Sequence, residues 1–331
     1  MAENYEAQGD QYVSEMQPNT YYPTISAVYL KGFRLVASAT GCTELRDRLE
    51  RKVSELQVED FRTLQAGGVR MIPEIDLEEI HKNVLKMNLR SSSLAYHTLL
   101  DLPIIPKSAV DAVDKMAESD KDSNKGLGRF FSEQVKINKK GAQVAFQDIS
   151  DSYASNARTY MREKLMAYIY FIKGTLDGYI DMNEAMVTKL LIDAKSPFVP
   201  EDRMHNYSLG LTAGFRNEFV TAAHLLIPQL ENSLRHLAVT NGIIVTTYEK
   251  RFQHENLLGG LIKTKLVPLA NDDILDELDS FLVDNNNVNF RNELLHGLME
   301  TALVHKYGQY VWWLCLKMIV QTKFIFPGAK H

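Results

Sequence analysis

Apolar residues recur at intervals of three and four along several long stretches of this chain, and that spacing is typical of one buried face of an α-helix. The clearest stripe covers residues 219–237, and similar stripes cover residues 45–56 and 165–180. The main departure is the β-branched run at residues 242–248, which predicts a short strand or an extended loop. The sequence therefore predicts an all-α fold.

Two prolines divide the chain near its middle. Pro197 and Pro200 lie within five residues of each other, and each proline removes a backbone donor and restricts the residue before it. We therefore place a domain boundary there, with a helical N-terminal domain at residues 21–195 and a helical C-terminal domain at residues 196–331. Residues 1–20 are polar and lack apolar periodicity, which predicts a disordered tail.

Charge and cysteine content restrict the classes of partner and compartment. The net charge is −5, so the chain has no overall basic field, and any nucleic-acid contact needs locally concentrated positive charge. Cys42 and Cys315 are too few and too far apart for a disulfide framework or a thiolate metal site. They are typical of free thiols in a reducing cytosol, so we expect a cytoplasmic protein.

No membrane, cofactor or metal motif stands out. The N-terminal residues contain Glu3, Glu6 and Asp10 and do not resemble a secretory signal. The apolar run at residues 311–320 contains Lys317 and is too short to cross a bilayer, which predicts a buried helix and no membrane attachment. The sequence has no P-loop, dinucleotide or zincin motif, so we expect no cofactor and no metal.

A basic segment interrupts the helical pattern in the first half of the chain. Residues 121–140 carry a net charge of +4, with Phe130 and Phe131 among the basic residues. Basic groups interleaved with aromatic rings can follow a phosphate backbone and stack on bases. The candidate RNA-contacting residues are Lys125, Arg129, Lys136, Lys139 and Lys140. The alternative is a solvated connection anchored by the two phenylalanines.

The densest group of chemically active side chains lies in residues 289–297, where Arg291, Asn292 and His296 fall within six residues. In a helix, Asn292 and His296 share a face, whereas Arg291 lies about 140° away from His296. The Arg291 side chain must therefore curl round from an irregular first turn or act on a second molecule. Asn289 is the expected N-cap, and a helix start at this point favours an anion.

An arginine beside a histidine suits the cleavage of a phosphodiester. Imidazole can accept the proton of an attacking hydroxyl near neutral pH, while a fixed guanidinium stabilises the charge that develops on the phosphate. The alternative is a structural helix start, in which Arg291 pairs with Glu293 or Asp284 and His296 packs against a turn. The residue types alone leave both interpretations open.

The arrangement Arg-Asn, three residues, His and Gly resembles the signature of the HEPN superfamily, the higher eukaryotes and prokaryotes nucleotide-binding proteins. Residues 196–200 (SPFVP), 223–237 (AHLLIPQLENSLRHL) and 290–298 (FRNELLHGL) resemble one branch catalogued as a domain of unknown function. The resemblance covers residues 196–331. It implies a helical bundle, commonly dimeric, in a superfamily that includes many metal-independent ribonucleases of toxin, antiviral and RNA-processing systems.

The resemblance also implies roles for individual residues. Arg291 and His296 match the catalytic pair, Asn292 matches the accompanying polar residue, and Glu231 and Arg235 match supporting positions. We expect an endoribonuclease that attacks through the RNA 2′-hydroxyl, works as a homodimer with a composite active site, and serves as a toxin or antiviral effector under an inhibitory or activating protein partner. The alternative is a non-catalytic helical dimer that acts as an RNA-binding or protein-interaction scaffold.

Overall fold

A computed structural model describes residues 1–15, 23–67, 75–113, 115, 133–137, 143–249 and 252–330. The helices in those ranges include α1 (Ala2–Ser14), α2 (Pro23–Val36), α3 (Thr43–Gly67), α4 (Leu77–Lys86), α5 (Ser92–Asp101), α6 (Ile149–Asp177), α7 (Glu184–Ala194), α8 (Met204–Phe215), α9 (Phe219–Thr240), α10 (Asp272–Leu282), α11 (Phe290–Leu295), α12 (Thr301–Val320) and α13 (Thr322–Ile325). Residues 107–113 are also helical.

The described strands form two short antiparallel hairpins, β1 (Glu133–Ile137) with β2 (Gln143–Asp148), and β3 (Thr246–Glu249) with β4 (Phe252–Glu255). The second hairpin begins inside the β-branched run at residues 242–248, for which the sequence predicts a strand or an extended loop, and β4 lies beyond that run. A turn of π-helix at Leu261–Lys265 follows it. Helices dominate the described chain, and the all-α prediction is confirmed.

The chain divides into two compact units. The first contains residues 1–71 and 121–152, and the second contains residues 72–120 and 153–331. This division differs from the expected boundary at residues 196–200, which lies inside the second unit.

Residues Ala2–Ser14 of the first unit form α1, although the sequence predicts a disordered tail at residues 1–20, of which residues 16–20 lie outside the described chain. Glu6 on α1 is buried and accepts hydrogen bonds from Arg48 at 2.7 and 2.9 Å, and Lys52 lies 2.9 Å away. Arg48, together with Lys52, lowers the pKa of Glu6 to about 2. Asp10 accepts a hydrogen bond from the Tyr29 hydroxyl at 2.6 Å. Polar residues hold α1 through long-range pairs, which local apolar periodicity does not reveal.

Helix α12 forms the centre of the second unit. Trp312 and Trp313 are fully buried in the core. The Trp312 indole N–H donates to the Leu211 carbonyl on α8 at 3.1 Å, and that of Trp313 donates to the Leu99 carbonyl on α5 at 2.8 Å. Gly214 on α8 lies directly against the Trp312 ring, where a larger residue would clash. Helix α12 thus joins helices from both sides of the expected boundary.

The segment at residues 196–200 is packed into this unit and does not act as a linker. Phe198 is fully buried and stacks on Phe326 with ring centroids 5.6 Å apart. The hydroxyls of Ser196 and Thr322 are 2.6 Å apart, within hydrogen-bond distance. The prolines break the helical path, but a broken helix does not show whether the flanking helices share a core.

A buried ion pair connects α6 to α10. Arg162 and Glu277 have side chains that are each 1% exposed, and the guanidinium donates to both carboxylate oxygens at 2.8 and 3.0 Å. Arg162 also donates to the Ser280 hydroxyl at 3.2 Å. This bidentate geometry fixes α10, and α10 leads into the segment that contains the Arg-Asn-His motif.

We expect Arg162→Met to lower the free energy of unfolding by about 3–5 kcal/mol, because Glu277 would stay buried without a partner. The double variant Arg162→Met/Glu277→Leu should recover a large part of that loss. Urea unfolding of the two single variants and the double variant measures the coupling. Additive losses would contradict a direct pairwise interaction.

Lys317 of α12 is buried, and its ammonium lies against the C-terminal end of α5. Its ammonium donates to the Leu100 carbonyl and, at 2.8 Å, to the Gln321 side chain. Burial lowers the pKa of Lys317 to about 8. The unfolded chain holds this proton more tightly than the folded chain does, so stability should rise with pH above 8.

We expect the free energy of unfolding to increase by about 2 kcal/mol between pH 7 and pH 9.5 through Lys317, from the difference between its folded and unfolded pKa. The Lys317→Met variant should lose that part of the rise. Urea unfolding across this pH range measures the slope, and equal slopes in the parent and the variant would contradict it.

Candidate functional site

The motif helix α11 contains six residues and is held mainly by its neighbours. Phe290 is fully buried and stacks on Phe281 of α10, with ring centroids 5.2 Å apart and planes 9° apart. The residue before the helix, Asn289, has a left-handed backbone with φ of 53°. Its side chain makes no capping bond to the helix backbone and instead accepts a hydrogen bond from the Asn292 side chain at 2.6 Å.

Two expectations for this helix start are therefore revised. Asn289 occupies the N-cap position, but its carboxamide serves Asn292 and leaves the first backbone donors uncapped. A helix of six residues also carries only a small dipole, so its start is no argument for a bound phosphate. Any anion affinity at this place has to come from side chains.

A glycine ends the helix directly after the histidine. Gly297 has φ of 64°, and its N–H donates to the Leu294 carbonyl at 3.1 Å, while the Leu298 N–H donates to the Glu293 carbonyl at 2.8 Å. This pair of bonds is a Schellman motif, which suits a glycine because L-residues rarely adopt positive φ. The next helix, α12, begins at residue 301. The chain from the motif to residue 325 therefore consists of separate helices, α11, α12 and α13.

His296 lies at the C-cap of α11 and is exposed. Among the residues that the structure describes, its imidazole makes no hydrogen bond and no ion pair. Leu295 and Leu298, on either side of it, are 47% and 50% exposed. The histidine is therefore accessible and is flanked by apolar surface.

Arg291 is held by Glu231 of α9, which is sixty positions earlier in the chain. Its Nε donates to Glu231 Oε2 at 3.1 Å, and its Nη1 donates to the Asn292 carboxamide oxygen at 2.9 Å. Neither Glu293 nor Asp284, the partners that the residue types suggest, forms this pair. The Arg291 side chain is 30% exposed. Its remaining nitrogen, Nη2, makes no hydrogen bond to any described residue.

Arg235 occupies the other side of the same carboxylate. It donates to Glu231 Oε1 at 2.8 Å, and its second terminal nitrogen lies 3.5 Å from Glu255 on β4. Arg235 and Glu231 are each 18% exposed, whereas Glu255 is 62% exposed. Two guanidiniums share the carboxylate of Glu231, and the more exposed carboxylate of Glu255 lies beside one of them.

The structure brings four of the five expected site residues into one hydrogen-bonded cluster, namely Arg291, Asn292, Glu231 and Arg235. His296 is not part of it. Five residues of helix separate His296 from Arg291 by about 7.5 Å along the axis and about 140° around it. Ideal helix geometry therefore predicts that the imidazole and the guanidinium of one molecule face different sides.

The expected RNA-contacting segment is mostly outside the described residues. Lys125, Arg129, Lys139 and Lys140 lie outside them, and Lys136 lies on β1 opposite Ala145.

The sequence does not indicate Glu255 as a member of the site, and it indicates Asn289 only as a helix cap. Glu255 on β4 lies 3.5 Å from Arg235 on α9, and no spacing rule in the sequence predicts that approach. Asn289 was expected to cap the helix, and it orients Asn292 instead.

In the part of the chain that the structure describes, no three histidine, cysteine or acidic residues are grouped closely enough to hold a metal ion. Among the described helices, none combines the length and the apolar character needed to cross a bilayer. Comparison with known proteins adds no assignment, since no protein-family model, curated protein or solved structure matches the chain.

We expect Arg291→Ala to change the free energy of unfolding by less than about 1 kcal/mol, because the side chain is partly exposed and Glu231 keeps Arg235 as a partner. Glu231→Ala should cost more, since it leaves two neighbouring guanidiniums without their shared carboxylate. Urea unfolding of both variants measures the difference. A loss above about 2 kcal/mol for Arg291→Ala would indicate a mainly structural arginine.

Proposed function

We propose that this chain is a metal-independent endoribonuclease of the HEPN type, acting on single-stranded RNA through attack of a ribose 2′-hydroxyl. The observation that carries the proposal is the state of Arg291. Its Nε and Nη1 are fixed by Glu231 and Asn292, while Nη2 remains uncommitted and the side chain is partly exposed. A guanidinium that is oriented in advance but still accessible is suited to bind a phosphodiester.

His296 supplies the proton chemistry in this proposal. Its exposed imidazole accepts the proton of the 2′-hydroxyl, whose oxygen attacks the adjacent phosphorus. The P–O5′ bond breaks, which gives a 2′,3′-cyclic phosphate, and a proton from water converts the leaving oxygen into a 5′-hydroxyl end. DNA lacks the attacking hydroxyl and would not be cut. Arg291 stabilises the charge that develops on the phosphate, and Asn292 holds the guanidinium.

A second copy of the chain completes the pocket. Helix geometry predicts that Arg291 and His296 face different sides of one molecule, so a single copy would not bring both side chains to one phosphate. In a twofold dimer, each arginine can meet the histidine of the other copy. The exposed Leu295 and Leu298 beside His296 support such a contact, because apolar residues of this size are typical of homodimer interfaces.

The alternative is a non-catalytic helical dimer that serves as an RNA-binding or protein-interaction scaffold. One observation favours it, namely that the Arg291–Glu231 ion pair would also hold a purely structural helix in place. The exposed His296 favours catalysis, because a structural role would not require an imidazole without partners. For an active enzyme, an inhibitory or activating protein partner would control the cleavage of cellular RNA, as in a toxin or antiviral system.

We expect the parent protein to cleave single-stranded RNA in the presence of EDTA and to leave 2′,3′-cyclic phosphate ends. Arg291→Ala and His296→Ala should each lower the cleavage rate by about 100-fold or more, because each removes a group that acts in the transition state. Denaturing gels and end-group analysis of a synthetic RNA measure both results.

Matched controls are Arg216→Ala and His205→Ala, which remove an exposed arginine and an exposed histidine outside the cluster. Both should cut at the parental rate. Cleavage by the His296→Ala protein at the parental rate would exclude the catalytic assignment and leave the scaffold.

A further inference from the structure

Arg235 provides a second guanidinium beside the motif. It lies on α9, four residues after Glu231, and donates to Glu231 Oε1 at 2.8 Å. Arg291 donates to the other oxygen of the same carboxylate, Oε2, at 3.1 Å. Because both guanidiniums contact one carboxylate, the two nitrogens that make these bonds lie within about 8 Å of each other.

The other terminal nitrogen of Arg235 is held loosely. Its Nη1 lies 3.5 Å from Glu255 Oε2, which is longer than an ordinary charge-assisted hydrogen bond, and it has no other partner among the described residues. The Glu255 side chain is 62% exposed, and an ion pair of this length at the surface is weak. Glu231 therefore positions Arg235, while Glu255 makes a contact that another anion can displace.

The two arginines are prepared in the same way. Each has one nitrogen committed to Glu231, and each keeps a terminal nitrogen for a further contact, which is uncommitted in Arg291 and weakly paired in Arg235. A guanidinium that is already fixed loses little side-chain freedom when it binds a phosphate oxygen. The separation of the two is on the scale of successive phosphates along a single strand, which repeat once per nucleotide.

We propose that Arg235 binds the phosphate next to the one held by Arg291, and that Glu255 occupies this second phosphate position in the free protein. RNA displaces Glu255 from Arg235, while Glu231 keeps both guanidiniums in place. The preferred substrate therefore contains at least three nucleotides, because a dinucleotide has one phosphate and reaches Arg291 alone. This inference rests on the proposed function, in which the phosphate at Arg291 is the one that is cleaved.

Binding of short RNA analogues that cannot be cut tests the second phosphate position without relying on cleavage. The probes are a 2′-O-methyl dinucleotide and a 2′-O-methyl trinucleotide without terminal phosphates, which contain one and two phosphates and lack the attacking hydroxyl. Ligand-observed NMR titration with the full chain at low ionic strength measures both dissociation constants. We expect the parent to bind the trinucleotide about tenfold more tightly than the dinucleotide.

Arg235→Gln should weaken the trinucleotide about tenfold, because one charge-assisted contact is lost, and should change the dinucleotide less than twofold. Glu255→Gln should tighten the trinucleotide about threefold, because a neutral carboxamide competes less well with phosphate. The matched controls are Arg216→Gln and Glu201→Gln, which remove an exposed arginine and an exposed acid outside the cluster. Both should bind the two probes as the parent does.

The dinucleotide shows whether Arg235 acts only by supporting Arg291. Equal weakening of the two probes by Arg235→Gln would overturn the proposal, as would parental trinucleotide affinity in Arg235→Gln or Glu255→Gln, or no binding by the parent. Failure of the ribonuclease itself gives a different result, in which the trinucleotide binds with the expected dependence on Arg235 while the parent leaves unmodified RNA intact. A parent that cuts RNA, with Arg235→Gln affecting both probes equally, would retain the ribonuclease and exclude the second phosphate position.

Discussion

The carboxylate of Glu231 on α9 holds the motif helix α11 in position through its ion pair with Arg291. Helix α11 has six residues, which is too few to be stable on its own, so tertiary contacts must hold it. Phe290 anchors it to α10 through ring stacking, and Glu231 anchors it to α9 through Arg291. The same carboxylate also pairs with Arg235. One acidic side chain therefore holds two guanidiniums close together. The two guanidiniums beside the motif are thereby held in place.

This arrangement depends in turn on how α9 and α10 are positioned. Helix α9 packs against α8 and α12, and the buried pair of Arg162 with Glu277 fixes α10 against α6. Gly308 lets α12 approach the Phe219 backbone at the start of α9, where a larger residue would clash. Residues on both sides of the proline-rich segment therefore build the support for one short helix. That shared core explains why the unit extends well before residue 196.

The helical stripes were predictable because a buried face repeats within one element. The stripe at residues 219–237 and the burial of Trp312 and Trp313 both follow from local spacing and side-chain size. The extent of α11 was partly readable as well, since Gly297 directly after His296 is a helix stop signal. The apolar residues that follow Gly297 make the pattern look helical beyond it, so the sequence alone does not show where α11 ends.

Long-range polar partners were not predictable from local patterns. Arg291 has two acidic residues nearby in the sequence, yet it pairs with Glu231, which a different helix supplies. The same limitation explains the N-terminal helix, where Glu6 meets Arg48 across 42 positions. Periodicity reports which face of an element is buried, whereas it contains no information about which charged residues meet across the core.

The central claim is that one copy of the chain supplies Arg291 and the other supplies His296 to each pocket, and complementation between variants tests it most directly. Arg291→Ala and His296→Ala proteins, each inactive alone, are mixed and left to exchange subunits, and RNA cleavage is then measured. The account predicts recovery of about a quarter of the parental activity, because half of the dimers are mixed and each has one intact pocket of two. Mixed dimers detected by native mass spectrometry without any recovered cleavage would contradict it.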